Sequence, residues 1–310
     1  MIKSINFVLC ILSFALLCGC QKQELYKDNR VMMGTMIEVS SSDKRAAGIV
    51  FKEVGRIENL LSKYKEDSDV SRLNKSGREI VSPEAMYVIK KAKEFWSLSN
   101  GAFDITVAPL AELWGFKDKK YVLPEQGKID AALQLIGTDK IVFDDSNNMI
   151  EFIVPGMQID LGAIAKGYAV DSAVGKLKEQ GINNCLVNAG RQVYCLGDKF
   201  GSPWNVAIKD PRREGFFGLL KLKDRAVATS GDYEQYFIKD GKRYAHIFNP
   251  KTGYPAESGI VSVTVITNDS LAADALSTAI FVLGREKGEE LIKKFPNVKV
   301  EIVEEKDIKI

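Results

Sequence analysis

Two short segments carry residues whose types and spacing suit phosphate chemistry. The first is Q-I-D-L-G-A-I-A-K-G-Y-A-V-D at 158–171, where Asp160 and Lys166 stand on either side of a turn of small residues. Small residues let backbone N–H and C=O groups approach a bound anion or metal. The spacing matches neither the P-loop nor the dinucleotide-binding glycine pattern. The segment therefore predicts a phosphate-facing corner whose partners lie elsewhere in the chain.

The second segment is S-L-A-A-D-A-L-S-T-A at 270–279, whose pattern predicts a helix. Asp274 and Thr278 are four residues apart, so they lie on one face of it. Carboxylate, hydroxyl and backbone carbonyl oxygens are hard donors that suit Mg²⁺. Two simpler interpretations stay open: Thr278 bonds back into its own helix, and Asp274 merely favours the helix's positive end.

His246 is the single histidine of the chain, so any imidazole chemistry must use it. It precedes I-F-N-P-K-T-G-Y-P at 247–255, where Asn-Pro, Thr-Gly and a second Pro predict a rigid turn. A rigidly placed imidazole suits proton transfer near neutral pH, and a purely structural hydrogen bond is the alternative. The polar loops at 188–191 and 228–233 are either anion-binding loops or simple turns.

Two further residues are candidates for ligand contact. Asp104 lies in the apolar run A-F-D-I-T at 102–106, and an acid is costly to bury there unless it is hydrogen-bonded or bound to something. The alternative role for Asp104 is N-capping of a following turn. Tyr64 lies just past a predicted helix and is either the wall for an aromatic ligand or a half-buried surface tyrosine.

The elements that must position these residues follow from hydrophobic spacing. Helices are predicted at 45–61, 83–98, 129–136, 166–181, 270–283 and 287–294. Strands are predicted at 31–39, 140–143, 149–153, 185–188, 193–196, 204–209, 219–222, 226–229, 235–238, 244–248, 260–266 and 298–303. Early helices and strands clustered later in the chain predict an α+β fold.

The N-terminus resembles a bacterial lipoprotein signal. Residues 1–19 have a positive start and a short apolar stretch that ends at Leu-Cys-Gly before Cys20. This predicts cleavage before Cys20, acylation of its thiol, and a polar spacer over 20–30 ahead of one domain at 31–310. An uncleaved anchor helix is the alternative. Either way we expect the body of the protein to be exported and tethered to the membrane, and the lipoprotein interpretation places it facing the periplasm or the cell exterior.

Composition narrows the class of protein. With 310 residues, 45% of them hydrophobic and 27% charged, the chain is globular rather than disordered. The formal net charge is only +2, without a dense basic stripe, so a nucleic-acid partner is not expected.

Cys185 and Cys195 are the two cysteines of the mature domain. A hairpin centred on Gly190 would place them directly opposite each other, so a disulfide is possible in an oxidising compartment. Free cysteines commonly serve as small core residues, and we favour that interpretation.

Taken in order, the motifs resemble the ApbE family of FAD:protein FMN transferases over nearly the whole mature chain. The motifs are M-G-T at 33–35, A-F-D-I-T at 102–106, D-L-G-A-I-A-K-G-Y at 160–168, N-A-G at 188–190, T-S-G at 229–231, the run 246–255 and A-D-A-L-S-T at 273–278. The resemblance implies the T-fold-like α+β architecture of that family, with mixed or antiparallel sheets, flanking helices and FAD in a cleft between lobes. It also implies flavin chemistry at the two segments described first.

The resemblance implies roles for individual residues. Mg²⁺ would be held by the carbonyl of Ala163 and the side chains of Asp274 and Thr278, with Ser277 beside them. His246 matches the family's functionally required histidine, and it or Asp274 would serve as the catalytic base. The FAD contacts would map to Met33, Tyr64, Ala102, Phe103, Asp104, Asp160, Lys166 and Ile247.

The reaction implied is Mg²⁺-dependent transfer of the FMN moiety of FAD to a threonine of an acceptor protein, such as a flavinylated respiratory subunit, with release of AMP. FAD hydrolysis to FMN and AMP, and flavin binding without chemistry, are the alternatives. The chain departs from the family at Arg191, where a second glycine is usual. This predicts either a changed loop or an added cation there.

Overall fold

The structure is a computed structural model that describes residues 24–308. The helices are α1 Ala46–Leu61, α2 Asp69–Ser76, α3 Pro83–Leu98, α4 Ala108–Leu113, α5 Gln126–Leu133, α6 Ala165–Glu179, α7 Ser270–Leu283 and α8 Arg285–Ile292. The strands are β1 Tyr26–Met32, β2 Thr35–Ser41, β3 Arg78–Ile80, β4 Ile141–Asp144, β5 Met149–Phe152, β6 Cys185–Ala189, β7 Gln192–Leu196, β8 Trp204–Lys209, β9 Phe216–Leu222, β10 Arg225–Gly231, β11 Tyr236–Lys239, β12 Lys242–Ala245, β13 Ile260–Thr267 and β14 Lys299–Glu304.

A seven-stranded sheet organises the fold. Its order is β1-β2-β6-β7-β10-β13-β14, and every neighbouring pair is antiparallel. Helices α1, α6 and α7 cover one face, and the ribbon of β8 and β9 covers part of the other. Side chains alternate accordingly: Ala226 and Ala228 of β10 join the helix-side core, while Val227 joins the ribbon side. The predicted α+β class with antiparallel sheets and flanking helices is confirmed.

The predicted spacer at 20–30 extends too far, because β1 begins at Tyr26 and pairs with Ser41 of β2. β1 is an edge strand whose residues are almost all exposed, so it lacks the alternating apolar pattern that would have revealed it. The predicted signal at 1–19 and Cys20 lie outside the described residues. Between 24 and 308, no helix has the length and apolarity needed to cross a bilayer.

Met33 and Gly34 form the tip of the hairpin between β1 and β2 rather than the interior of one strand. Met32 pairs with Thr35, which leaves a two-residue turn with φ of 49° at Met33 and 72° at Gly34. Positive φ at both positions is the type I′ geometry that matches the twist of antiparallel strands. The Met33 amide donates to Glu58 Oε1 of α1 at 3.0 Å, so the tip is fixed against the helix layer.

The two cysteines do not face each other. Cys185 pairs with Leu196 and Cys195 with Leu186, because the turn comprises Gly190 and Arg191 rather than Gly190 alone. The expectation that they would be opposed was therefore wrong by one residue, which sends the two thiols to opposite faces of the sheet. Both are free and buried, and burial raises the pKa of each thiol to about 12. The core interpretation is confirmed.

Gly167 lets α6 approach α7 closely. A Cβ at this position would lie 2.3 Å from the Ser270 carbonyl oxygen and 2.7 Å from the Leu271 Cα. We expect Gly167→Ala to lower the free energy of unfolding by about 1–3 kcal/mol, because backbone atoms must move apart. Urea titration measures the loss.

Gly175 of the same helix provides the matched control, because a Cβ there meets nothing within 4 Å. Gly175→Ala should raise stability by about 0.5–1 kcal/mol through helix propensity alone. Equal effects of the two substitutions would show that the helix contact does not constrain residue 167.

Candidate functional site

The first turn of α6 meets α7 at a group of oxygen atoms, here called the α6–α7 corner and formed by Ala163, Gly167, Asp274 and Thr278. The Gly167 amide donates to Asp274 Oδ2 at 3.1 Å. In a regular helix that amide would instead bond to the carbonyl four residues earlier, which is Ala163. The Ala163 carbonyl accepts no hydrogen bond from any described residue. Because Asp274 accepts from the Gly167 amide, the Ala163 carbonyl at the start of α6 keeps its oxygen free.

A chain of hydroxyl groups links α7 to β10. The Ser277 hydroxyl donates to the Asp274 carbonyl at 2.9 Å, so the Ser230 hydroxyl must donate to Ser277, at 2.9 Å. Thr278 Oγ1 lies 3.2 Å from Ser230 Oγ and is then the donor to it. Ser277 is therefore the residue that bonds back into its helix, whereas Thr278 bonds across to β10 and keeps both lone pairs.

The donor set at the corner suits Mg²⁺ held partly by a substrate. It offers one carboxylate, one free carbonyl and one hydroxyl with available lone pairs. Among residues 24–308 there is no cluster of three or more His, Cys, Asp or Glu side chains that would form a protein-only cage. Mg²⁺ is usually bound through one or two carboxylates, with waters and phosphate oxygens completing its octahedron. The corner fits an ion of that kind.

Lys63 is a charged residue of the site that sequence reasoning missed. Its Nζ lies 2.7 Å from Asp160 Oδ2, with only 12% of its side chain exposed, and the Gly162 amide donates to Asp160 Oδ1 at 2.8 Å. Burial alone would lower the pKa of Lys63, but the Asp160 carboxylate outweighs it and the pKa is raised. Lys166 lies on the same turn and donates to the Gly162 carbonyl. Two ammonium groups therefore flank the turn before α6.

Two cavities meet at this turn. The Tyr64 cavity, of about 520 Å³, is lined by Glu58, Lys63, Tyr64 and Asp160 among others. The β8 cavity, of about 460 Å³, lies between β8 and the ends of β7 and β10. Met33, Gly34 and Lys166 line both, so the hairpin tip and one ammonium group separate the two spaces.

Half of the predicted FAD contacts line the Tyr64 cavity: Met33, Tyr64, Asp160 and Lys166. Tyr64 is 71% exposed at its rim, with Lys63 Nζ 5.2 Å from the ring centroid. The others are buried and line neither cavity: Ala102, Phe103, Asp104 and Ile247. A FAD contact through these four residues stays a prediction.

Asp104 has a structural role. Its carboxylate accepts from the Thr106 amide at 2.8 Å and hydroxyl at 2.6 Å, and from the Thr138 hydroxyl at 2.8 Å. Burial raises the pKa of Asp104, and these hydrogen bonds oppose the rise. The side chain caps the turn at Ile105–Val107, as the N-capping alternative proposed.

His246 follows β12 and is held by one carbonyl. The Gln235 oxygen accepts from the His246 amide at 3.0 Å and lies 3.2 Å from Nδ1. Because a carbonyl only accepts, Nδ1 carries the proton and Nε2 keeps its lone pair. Burial, with the positive charges of Arg191 and Lys166, lowers the pKa of His246 to about 4. The imidazole is therefore neutral near pH 7 and able to accept a proton at Nε2.

The turn after His246 is present as predicted. The Asn249 amide donates to the Tyr254 carbonyl at 2.8 Å, and the Gly253 amide donates to the Asn249 carbonyl at 2.9 Å. Trp114 Nε1 donates to the Gly253 carbonyl at 3.0 Å and ties the turn to a buried aromatic cluster. The backbone beyond His246 is thus held at several points.

Arg191 adds a cation to the β8 cavity. Its Nε lies 3.5 Å from Glu234 Oε2, and Nη1 donates to the Thr229 carbonyl at 3.4 Å. Gly190 before it has φ of 73° and approaches Thr35, whose Oγ1 would lie 2.5 Å from an added Cβ. The turn therefore needs glycine at its first position, and Arg191 at the second provides a partly neutralised positive charge.

The antiparallel sheet with its helix layer, the oxygen-rich α6–α7 corner, and the lysine-flanked turn beside two cavities together define an α+β protein with a polar, charged candidate site. The chain belongs to the ApbE family, whose sequence profile matches residues 33–302.

Named relatives and solved structures agree with that membership. The protein named FAD:protein FMN transferase from Klebsiella pneumoniae is 35% identical over 271 residues, which is 85% of this chain and 84% of the relative. The protein of the same name from Vibrio cholerae is 33% identical over 91% of this chain and 89% of its own. Among solved structures, the ApbE protein of Thermotoga maritima has a TM-score of 0.85 at 38% identity, covering 91% of this chain and 95% of that one. The flavin transferase ApbE from Vibrio cholerae has a TM-score of 0.82 at 31% identity, covering 91% and 94%.

Proposed function

We propose that this protein transfers the FMN moiety of FAD to a threonine hydroxyl of an acceptor protein, with Mg²⁺ as cofactor. In this reaction the threonine oxygen bonds to the FMN phosphorus, and the bond from that phosphorus to the bridging oxygen breaks. AMP leaves with the bridging oxygen, and the threonine proton passes to a base. The observation that carries the proposal is the bond from the Gly167 amide to Asp274 Oδ2, which leaves the Ala163 carbonyl free, at a turn flanked by Lys63 and Lys166.

The residues of the site have separate roles in the proposed reaction. Ala163, Asp274 and Thr278 would hold Mg²⁺, which when bound neutralises charge on the pyrophosphate. Lys63 and Lys166 attract the same anion, since both amines border the Tyr64 cavity. The remaining contributions come from side chains around the ligand: Met33 and Tyr64 pack against a ring of FAD, and His246 accepts the threonine proton at Nε2.

One experiment tests the function as a whole. Purified protein is mixed with FAD and Mg²⁺, with and without a threonine-bearing acceptor domain, and flavin is followed on the acceptor and in solution. Flavin fluorescence on the acceptor protein supports transfer. Free FMN in place of labelled acceptor would show a hydrolase, and FAD recovered unchanged would show a flavin-binding protein.

The hydroxyl chain leads to a prediction about Ser230. Ser230→Ala removes the acceptor that orients the Thr278 hydroxyl, so we expect the Mg²⁺ concentration for half-maximal transfer to rise about 10–100-fold. Titrating Mg²⁺ at saturating FAD measures this change. Ser262→Ala is the control, since Ser262 is a buried serine on the neighbouring strand and pairs with Gly231. An unchanged Mg²⁺ requirement in Ser230→Ala would remove Ser230 from the site.

The cellular location is a separate proposal. The signal-like residues 1–19 and Cys20 support an exported lipoprotein, acylated at Cys20 and anchored in the membrane. Growth with labelled palmitate should label the full chain and leave Cys20→Ser unlabelled. Equal labelling of both would place the acyl group elsewhere, and absence of label in both would contradict acylation at Cys20.

A further inference from the structure

We infer that the acceptor protein binds in the β8 cavity as an extended segment, which adds to the unpaired edge of β8 and brings its threonine to Lys166. This inference rests on the proposed transfer function and specifies how the second substrate is held. It follows from the backbone of β8, the position of the cavity and the surface of the ribbon formed by β8 and β9.

The edge of β8 that faces the cavity has no strand beside it within the described chain. β8 and β9 form a sheet of two strands, and β9 occupies one edge of β8. Four consecutive residues of β8, Val206 to Lys209, line the cavity. Successive side chains of a strand point to opposite faces, so an unbroken run indicates that the cavity borders the strand's edge.

The backbone groups of that edge are available to a ligand. Among the residues that the structure describes, 205–209 make no backbone hydrogen bond outside their pairing with β9, and no side chain bonds to their backbone. An exposed row of N–H and C=O groups is a template for another strand, and proteins normally cover or interrupt such edges. Peptide recognition by strand addition uses this kind of edge.

The position of the cavity brings such a segment to Lys166, which both cavities share. The Tyr64 cavity and the β8 cavity share Met33, Gly34 and Lys166. FAD that enters from the Tyr64 side would therefore meet a segment from the β8 side at Lys166. The facing wall carries Arg191, whose charge suits the phosphate that joins the two substrates.

β9, the outer strand of the ribbon, exposes an apolar surface next to the part of β8 that lines the cavity. Phe216, Phe217 and Leu219 of β9 are 76%, 53% and 62% exposed. Leu219 pairs with Ala207, and Phe216 pairs with Lys209, so the exposed apolar groups lie alongside the cavity-lining part of β8. Clustered exposed apolar side chains commonly mark protein contacts. The acceptor therefore has apolar residues flanking its extended segment.

Backbone methylation of a peptide tests the geometry. The probes are blocked hexapeptides with a central threonine and apolar neighbours, each carrying one N-methyl group, incubated with intact protein, FAD and Mg²⁺. In an added antiparallel strand, alternate amides point toward the neighbour. Labelling should fall about tenfold or more at every second position and change little at those between. Labelling without this period of two would overturn the inference.

A folded acceptor domain is the second probe, for the case in which the protein labels folded acceptors but not short peptides. Hydrogen exchange of residues 205–209 is then measured with and without that domain, with β4, an edge strand of the separate β3-β5-β4 sheet, as the internal control. Slower exchange at alternate β8 amides, with β4 unchanged, supports strand addition, and unchanged exchange in β8 contradicts it. If neither peptide nor domain is labelled, the proposed function itself fails, and this inference fails with it.

Discussion

Replacing Asp274 with alanine should reduce flavin transfer by a factor on the order of 10³, because electrostatic stabilisation of the transferred phosphoryl group would be lost. Asp274 supplies the one carboxylate of the α6–α7 corner, and it also holds the Gly167 amide at 3.1 Å. Without it, that amide is free to bond to the Ala163 carbonyl, so one substitution removes two oxygen donors. Transfer to a threonine-bearing acceptor at several Mg²⁺ concentrations measures the loss.

The substitution Asp274→Asn separates charge from structure. The amide oxygen of the new side chain still accepts from Gly167, so the turn keeps its shape, but the negative charge is gone. We expect Asp274→Asn to lose transfer while its thermal midpoint stays near that of the wild type, whereas Asp274→Ala also lowers the midpoint. Near wild-type transfer by Asp274→Asn, with ordinary Mg²⁺ dependence, would contradict the metal assignment.

Helix boundaries were predictable where local signals marked them. α3 and α7 begin and end at the predicted residues, because each has a side-chain N-cap: Ser82 accepts from Ala85, and Asp269 accepts from Ala272. α2 was missed, since only Val70 and Leu73 of this short polar helix supply apolar burial. Ser68, which caps α2, and Gly77, which ends it in a left-handed conformation, are residue types that commonly start and stop a helix. The segment between them has no periodic apolar pattern that would have identified the helix.

The site was predictable only within segments. Helical spacing alone places Asp274 and Thr278 on one face. The pairings that complete the site join distant positions: Gly167 and Asp274 are 107 residues apart, and Ser230 and Thr278 are 48 apart. Such contacts depend on how α6 and β10 pack against α7, which no local pattern specifies. Lys63 was missed for the same reason, because its partner Asp160 reaches it only through tertiary packing.

Replacing His246 with glutamine should lower kcat by about 10²–10⁴-fold, the usual contribution of a positioned general base, while FAD binding is retained. The backbone amide of residue 246 still donates to the Gln235 carbonyl, as the His246 amide does at 3.0 Å, so the turn at 247–255 keeps its anchor, but no imidazole Nε2 is left to accept the threonine proton. Single-turnover transfer and flavin fluorescence titration measure the two quantities separately. Unchanged turnover would assign the base role to another group.

The pH dependence gives an independent test of the same residue. Because burial, Arg191 and Lys166 lower the pKa of His246 to about 4, the imidazole of the free protein stays neutral from pH 7 down to that region and is protonated below it. We therefore expect kcat/KM for FAD to fall only near pH 4, and this histidine-dependent fall should be absent in His246→Gln. In the complex, the negative pyrophosphate stabilises the imidazolium, so the corresponding fall in kcat should begin at a higher pH. A fall in kcat/KM centred at the ordinary histidine pKa of about 6.5 would show that burial and the charges of Arg191 and Lys166 do not lower the pKa of His246.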